Sequence, residues 1–104
     1  MLVFSTMEAI NKLYVVLVYD ISGEENGQRV LSKIFKTCKK YLVHIQNSVF
    51  EGEITEGQIA KLNAELNKYI RKNLDSVIIF KSRKEKWLDK EFWGKKDDAL
   101  SNFF

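Results

Sequence analysis

Residues 14–22 read Y-V-V-L-V-Y-D-I-S, and five of the first six side chains are β-branched or aromatic. Such side chains fit a pleated, packed surface. An apolar run this short, closed by Asp20, Ser22 and Gly23, predicts a strand buried on both faces. A central strand that delivers a carboxylate to its C-terminal end is a common way to place chemistry at a sheet edge. Asp20 is thus the first candidate for function.

The period then changes from two to about 3.6. Val30, Leu31, Ile34, Phe35 and Cys38 form one apolar stripe, which predicts an amphipathic helix lying on the sheet. Lys33, Lys36, Lys39 and Lys40 fall towards its other side and its C-terminal end, where cations suit the helix dipole. Ser22 and Glu25 have capping-box spacing for the start of this helix. Asn26 is a competing cap if residues 23–27 stay a loop.

Two β-rich pieces follow, 42–45 and 48–54, with Gln46 and Asn47 between them as a tight turn. Alternation places Val49 and Glu51 on one face and Phe50, Gly52 and Ile54 on the other. Gly52 marks a bulge or a close backbone approach. Thr55 and Gln58 form a second capping box, with Ile59, Leu62, Leu66, Tyr69 and Ile70 as the stripe of a helix ending near Asn73. Residues 75–81, D-S-V-I-I-F-K, read as a last buried strand. The order β-α-β-β-α-β, with right-handed crossovers, closes into an α+β, ferredoxin-like domain over 13–82. It has a four-stranded antiparallel sheet with both helices on one face.

Residues 1–12 precede this unit as a weakly periodic extension, and Met7 is an alternative start. Residues 83–104 carry Trp87, Leu88, Phe92, Trp93, Phe103 and Phe104 among many charges. The helices cover only one face of the sheet, so the tail or a second subunit must cover the other. A C-terminal strand or arm reaching a partner protomer and a tail folding back on its own chain both satisfy the pattern.

Composition narrows the setting. The 104 residues suffice for one domain, and 45% hydrophobic with 30% charged residues is an ordinary globular balance. Seventeen Lys and Arg against 14 Asp and Glu give +3, which permits polyanion binding without demanding it. Cys38 is the only cysteine, so an intrachain disulfide and a cysteine-based zinc site are excluded. No run of about 18 apolar residues spans a membrane, and 1–12 lacks the form of a signal peptide. A reducing cytoplasm is the expected location.

The ordered motifs Y-V-V-L-V-Y-D-I-S, a basic helix, I-Q-N-S-V-F-E-G-E-I-T and D-S-V-I-I-F resemble the second universal family of CRISPR-associated proteins, the small adaptation proteins. The resemblance runs from about Leu13 to the C-terminus. It implies a ferredoxin-like fold and a homodimer formed across sheet faces. It also implies a role in spacer acquisition, as a DNA-binding adaptor for the CRISPR integrase. Metal-dependent endonuclease activity on single-stranded RNA or double-stranded DNA, with Mg²⁺ or another divalent ion, is implied as well. Carried over, Asp20 is the catalytic, metal-binding aspartate, flanked by Tyr19 and Ser22. Ser48 and Phe50 match a segment near the dimer cleft, and Arg29 a basic position at the start of the first helix. The chain departs from the family at Gly27 and His44, where relatives carry arginine, and at Asn47, where they carry tyrosine. Positive charge near the site is reduced.

Mg²⁺ takes oxygen ligands and needs only one or two protein carboxylates. A twofold axis between strand ends would pair two Asp20 side chains. The bland alternative is an Asp20 that only ends a strand. His44 reads as a structural or surface histidine, Glu51 and Glu53 as a solvated strand face, and Cys38 as core packing. The basic groups 33–40, 68–72 and 81–86 would offer a dimer a backbone-reading, salt-sensitive surface for nucleic acid. A toxin-like ribonuclease of the related virulence-associated family is the alternative function. A small-molecule regulatory module lacks its Gly-rich loop.

Overall fold

The computed structural model describes residues 12–83 together with Glu91 and Trp93. The extension 1–11 and the rest of the tail lie outside the described residues, and so do the expectations placed on them. The elements are β1 (Lys12–Asp20), α1 (Gly27–Tyr41), β2 (Val43–Gln46), β3 (Val49–Thr55), α2 (Glu56–Leu66) and β4 (Ser76–Ser82). The strands form one antiparallel sheet in the order β2-β3-β1-β4. This is the ferredoxin-like arrangement, with β1 hydrogen-bonded on both sides.

Alternation along β1 divides the molecule into its two faces. Leu13, Val15, Leu17 and Tyr19 enter the core beneath the helices, where Ile34 and Cys38 of α1 and Leu62 and Leu66 of α2 meet them. In β3, Phe50 and Ile54 stand opposite Leu17 and Leu13 on the same face. Gly52 lies between them because a Cβ there would come within 3.2 Å of Leu42 Cδ2. Gly52 is therefore a close approach, and the sheet's irregularity falls instead between His44 and Gln46 of β2. The opposite face carries Tyr14, Val16, Val18 and Asp20. Its Val16 and Val18 are half-buried, so β1 is enclosed on the helix face and only partly covered on the other.

Several boundaries differ from the sequence reading. The first strand ends at Asp20, leaving Ser22 in the following loop. The Ser22–Glu25 capping box does not form. The N-cap of α1 is Asn26, in the left-handed region at φ 64° and without a side-chain cap. The Ser22 hydroxyl instead accepts the Glu24 N–H at 3.1 Å. The loop folds so tightly that a Cβ on Gly27 would stand 2.2 Å from the Ser22 carbonyl oxygen. Glycine is required there by space.

The second capping box forms: Thr55 Oγ1 accepts the Gln58 N–H at 3.1 Å, and Gln58 Oε1 accepts the Thr55 N–H at 2.9 Å. Its helix ends at Leu66, short of Asn73. Asn67 Nδ2 donates to Asn63 Oδ1 at 2.8 Å, and the backbone passes into turns in which the Lys68 and Tyr69 N–H groups reach back three residues. Tyr69 and Ile70 still pack against the core from these turns. The tight turn of the β2–β3 hairpin is Asn47–Ser48, with Asn47 at φ 41°. No helix among the described residues is long and apolar enough to cross a membrane.

Candidate functional site

Asp20 is the last residue of β1, exposed, on the face away from the helices and opposite Ser76 of β4. Moving along β1 from Asp20, Val18 pairs with Ile78 and Val49, and Val16 with Phe80. Ile78 is 50% and Phe80 58% exposed, and Val43 of β2 is exposed on the same face. The carboxylate thus stands at the end of an apolar strip that is partly exposed. Among the described residues no three His, Cys, Asp or Glu side chains gather into a metal-binding group. Asp20 is an oxygen donor of the kind a hard, largely hydrated cation accepts.

The other sequence candidates do not gather around that carboxylate. Tyr19 points to the helix face, buried, with its ring stacked on Phe50 at 6.1 Å. Burial raises the Tyr19 pKa, the nearby Cys38 adds to the rise, and a hydrogen bond with Ser48 opposes it. Phe50 is fully enclosed. Its place as a cleft residue is corrected to core packing, because it pairs with Leu17 and meets Phe35 and His44 edge to face or tilted. Ser48 lies with Tyr19, Gln28, Leu31, Ser32, Phe35 and Asn47 around a cavity of about 420 Å³, on the helix side. Ser22 is a loop residue whose backbone is held from elsewhere, as described below. Arg29 is exposed in the first turn of α1.

Helix α1 carries Arg29, Lys33, Lys36, Lys39 and Lys40 and no acidic residue. Arg29, Lys33 and Lys36 recur at i, i+4 and i+7 and share one face. Lys40 is tied to Glu65 of α2, which also accepts the Tyr41 hydroxyl. These two donors hold the Glu65 carboxyl below its usual range. Lys39 lies over the Phe35 ring, 5.6 Å from its centre.

His44 is structural: Nε2 lies 2.9 Å from the Asn47 carbonyl oxygen, and the ring packs edge-on against Phe35. Burial pushes the Cys38 thiol up to about 12, as suits a core cysteine. Glu51 overturns the solvated-face reading. It is 4% exposed and accepts the Tyr14 hydroxyl across β1 and β3, whereas Glu53 is exposed.

Sequence reasoning missed the strongest polar cluster of the domain. The Asp75 carboxylate, with its side chain wholly buried, accepts the Ser22 backbone N–H at 2.9 Å and the Arg71 backbone N–H at 2.8 Å. It also accepts Arg71 Nε at 2.7 Å and Nη2 at 3.0 Å. Arg71 Nη1 donates to the carbonyl oxygens of Glu24, at 2.7 Å, and Glu25, and Nη2 to that of Ser22 at 2.9 Å. All five guanidinium donors are thereby used. The only local signal was the four-residue spacing of Arg71 and Asp75; the loop they hold is more than 45 residues away.

A two-layer α+β domain with a strand-end carboxylate beside a partly exposed apolar sheet face is the class these features define. Within it, the sequence profile of the CRISPR associated protein Cas2 family matches residues 13–90. The CRISPR-associated endoribonuclease Cas2 of Fusobacterium nucleatum is 58% identical over 93 residues, 89% of this chain and 88% of that one. A second such protein, from Moorella thermoacetica, is 46% identical over 90 residues, 86% of this chain and 99% of that one. A Cas2 crystal structure superposes with a TM-score of 0.73 at 30% identity, covering 84% of this chain and 92% of the other. For the Streptococcus pyogenes Cas2 structure the TM-score is 0.60 at 29% identity, with coverages of 64% and 82%. The chain belongs to the Cas2 family.

Proposed function

We propose that the protein is a homodimeric CRISPR adaptation subunit. It holds duplex DNA for the CRISPR integrase, and its paired Asp20 carboxylates form a phosphodiester-cleaving centre. The observation that carries this reading is the place of Asp20, exposed at the end of the strip formed by Val16, Val18, Ile78 and Phe80. A second copy seated on that face would remove the strip from water, and each Asp20 would then border the interface. Two carboxylates brought together repel each other, which favours a shared cation or a shared proton. A bound Mg²⁺ would supply polarisation of a phosphate oxygen and acidification of a water.

The residues of this chain supply the rest. Asp20 would hold the cation, and Arg29, Lys33 and Lys36 would meet phosphates along α1 without reading bases. The relatives' names support RNA cleavage as a second activity of the same centre. The family match favours this reading over the toxin-like ribonuclease of the virulence-associated family.

The test compares wild type with Asp20→Asn on duplex DNA and single-stranded RNA, with Mg²⁺ and with chelator. Metal-dependent cleavage lost in the variant supports the centre. Equal background in both proteins, with salt-sensitive duplex binding and integrase pairing retained, leaves an adaptor alone. Loss of duplex binding and integrase pairing from the wild-type protein sinks the adaptor reading.

A further inference from the structure

We propose that Arg71 and Asp75 are positioning residues for Asp20, acting through the loop that leaves β1 and through the start of β4. The inference rests on the reading of Asp20 as a cation-holding group. Asp20 stands between two points that the pair controls. Ser22, two residues onward, gives its N–H to Asp75 and its carbonyl to Arg71. Ser76, the cross-strand partner of Asp20, directly follows Asp75.

Beyond this pair, the loop is held by the bond from the Glu24 N–H to the Ser22 hydroxyl and by the packing of Ile21 against the core. Glu25 and Asn26 both lie in the left-handed region, at φ 48° and 64°, and α1 begins without a side-chain cap. Non-glycine residues keep such angles where the surroundings over-determine them. Arg71 does so by meeting three loop carbonyls that converge on one planar group. A lysine would match the charge without the fork. A cation held by one carboxylate per chain depends on the orientation of that carboxylate, since few other ligands can correct it. Outer partners of a metal ligand characteristically carry that orientation.

The test follows Mn²⁺ binding by paramagnetic broadening of backbone amide signals in the full chain. Wild type is compared with Arg71→Lys, with Arg71→Ala with and without methylguanidinium, and with Lys40→Met, which breaks the α1–α2 ion pair instead. In the wild type, Mn²⁺ is expected to broaden the Asp20 and Ile21 amides. Both Arg71 variants should keep slow exchange at the β1–β3 amides and lose it at Ser22. They should need about tenfold more Mn²⁺ for the same broadening. Methylguanidinium should restore Arg71→Ala, and Lys40→Met should match the wild type.

Arg71→Lys decides the matter if Arg71→Ala does not fold. Broadening of Arg71→Lys at the wild-type Mn²⁺ concentration overturns the proposal, the pair then only bracing the fold. Loss of the sheet in both variants overturns it too. A wild-type protein with no broadening around Asp20 removes the cation reading and the positioning role together, so the wild-type arm tells the two failures apart.

Discussion

Asp75 shows how a single side chain can be made to serve two distant segments. Its carboxyl lies well below the usual carboxylate range, first because of the Arg71 side chain and then because of the Arg71 and Ser22 backbone donors; burial opposes them. In the unfolded chain the group returns to about 4. A folded-state pKa below the unfolded one contributes stability above that value, and the contribution is lost as pH falls through it towards the folded value. Urea unfolding across a pH series should therefore find Asp75→Asn less stable than wild type near neutrality. The gap should narrow steadily on acidification below about pH 5. A constant gap across the series would show that the carboxylate's charge is not the cause. Asp20, two positions before Ser22, differs in kind: it is exposed, at the last position of its strand.

At the scale of the element, the β1–α1 loop is where packing overrules local preference. A capping box was available in Ser22 and Glu25, yet the helix starts later, at Gly27, after two left-handed residues. The two glycines of this loop should respond differently to the same substitution. Gly27→Ala places a methyl group 2.2 Å from the Ser22 carbonyl oxygen and should cost about 1–3 kcal/mol through overpacking. Gly23→Ala meets nothing within 4 Å and should stay within about 0.5 kcal/mol of wild type. Chemical denaturation of both variants checks the pair. The same clash explains why a side chain as large as arginine has no room at position 27 in this backbone.

At the scale of the molecule, the sheet has one face sealed by helices and one where Val43, Ile78 and Phe80 stay exposed. Apolar surface of this kind beside a charged strand end marks an interaction face. Phe80→Glu places a charge within the strip without touching the core. Light scattering should find wild type dimeric and the variant monomeric, with an unchanged far-ultraviolet spectrum. Its thermal midpoint should also lose the dependence on protein concentration expected of a dimer. A dimeric Phe80→Glu would remove this face from the interface.

The sequence by itself determined the order of elements, the two helix stripes, the Thr55–Gln58 cap and the shared face of Phe50 and Ile54. Each rests on a period or spacing within a few residues, where backbone geometry acts directly. The structure set Asp20 and Tyr19 on opposite faces of β1 and so parted two residues that the family resemblance had grouped in one site. The place of Asp20 at a strand end was legible for a local reason, because the apolar run closes there; its exposure came from the structure. Only the tertiary structure decided the burial of Glu51 beneath the Tyr14 hydroxyl, the early end of α2 and the space that excludes a Cβ at Gly27. It alone joined Arg71 and Asp75 to Ser22, Glu24 and Glu25. Those arrangements depend on which distant backbone groups the packed sheet and helices bring within hydrogen-bonding reach, and no spacing along the chain encodes that distance.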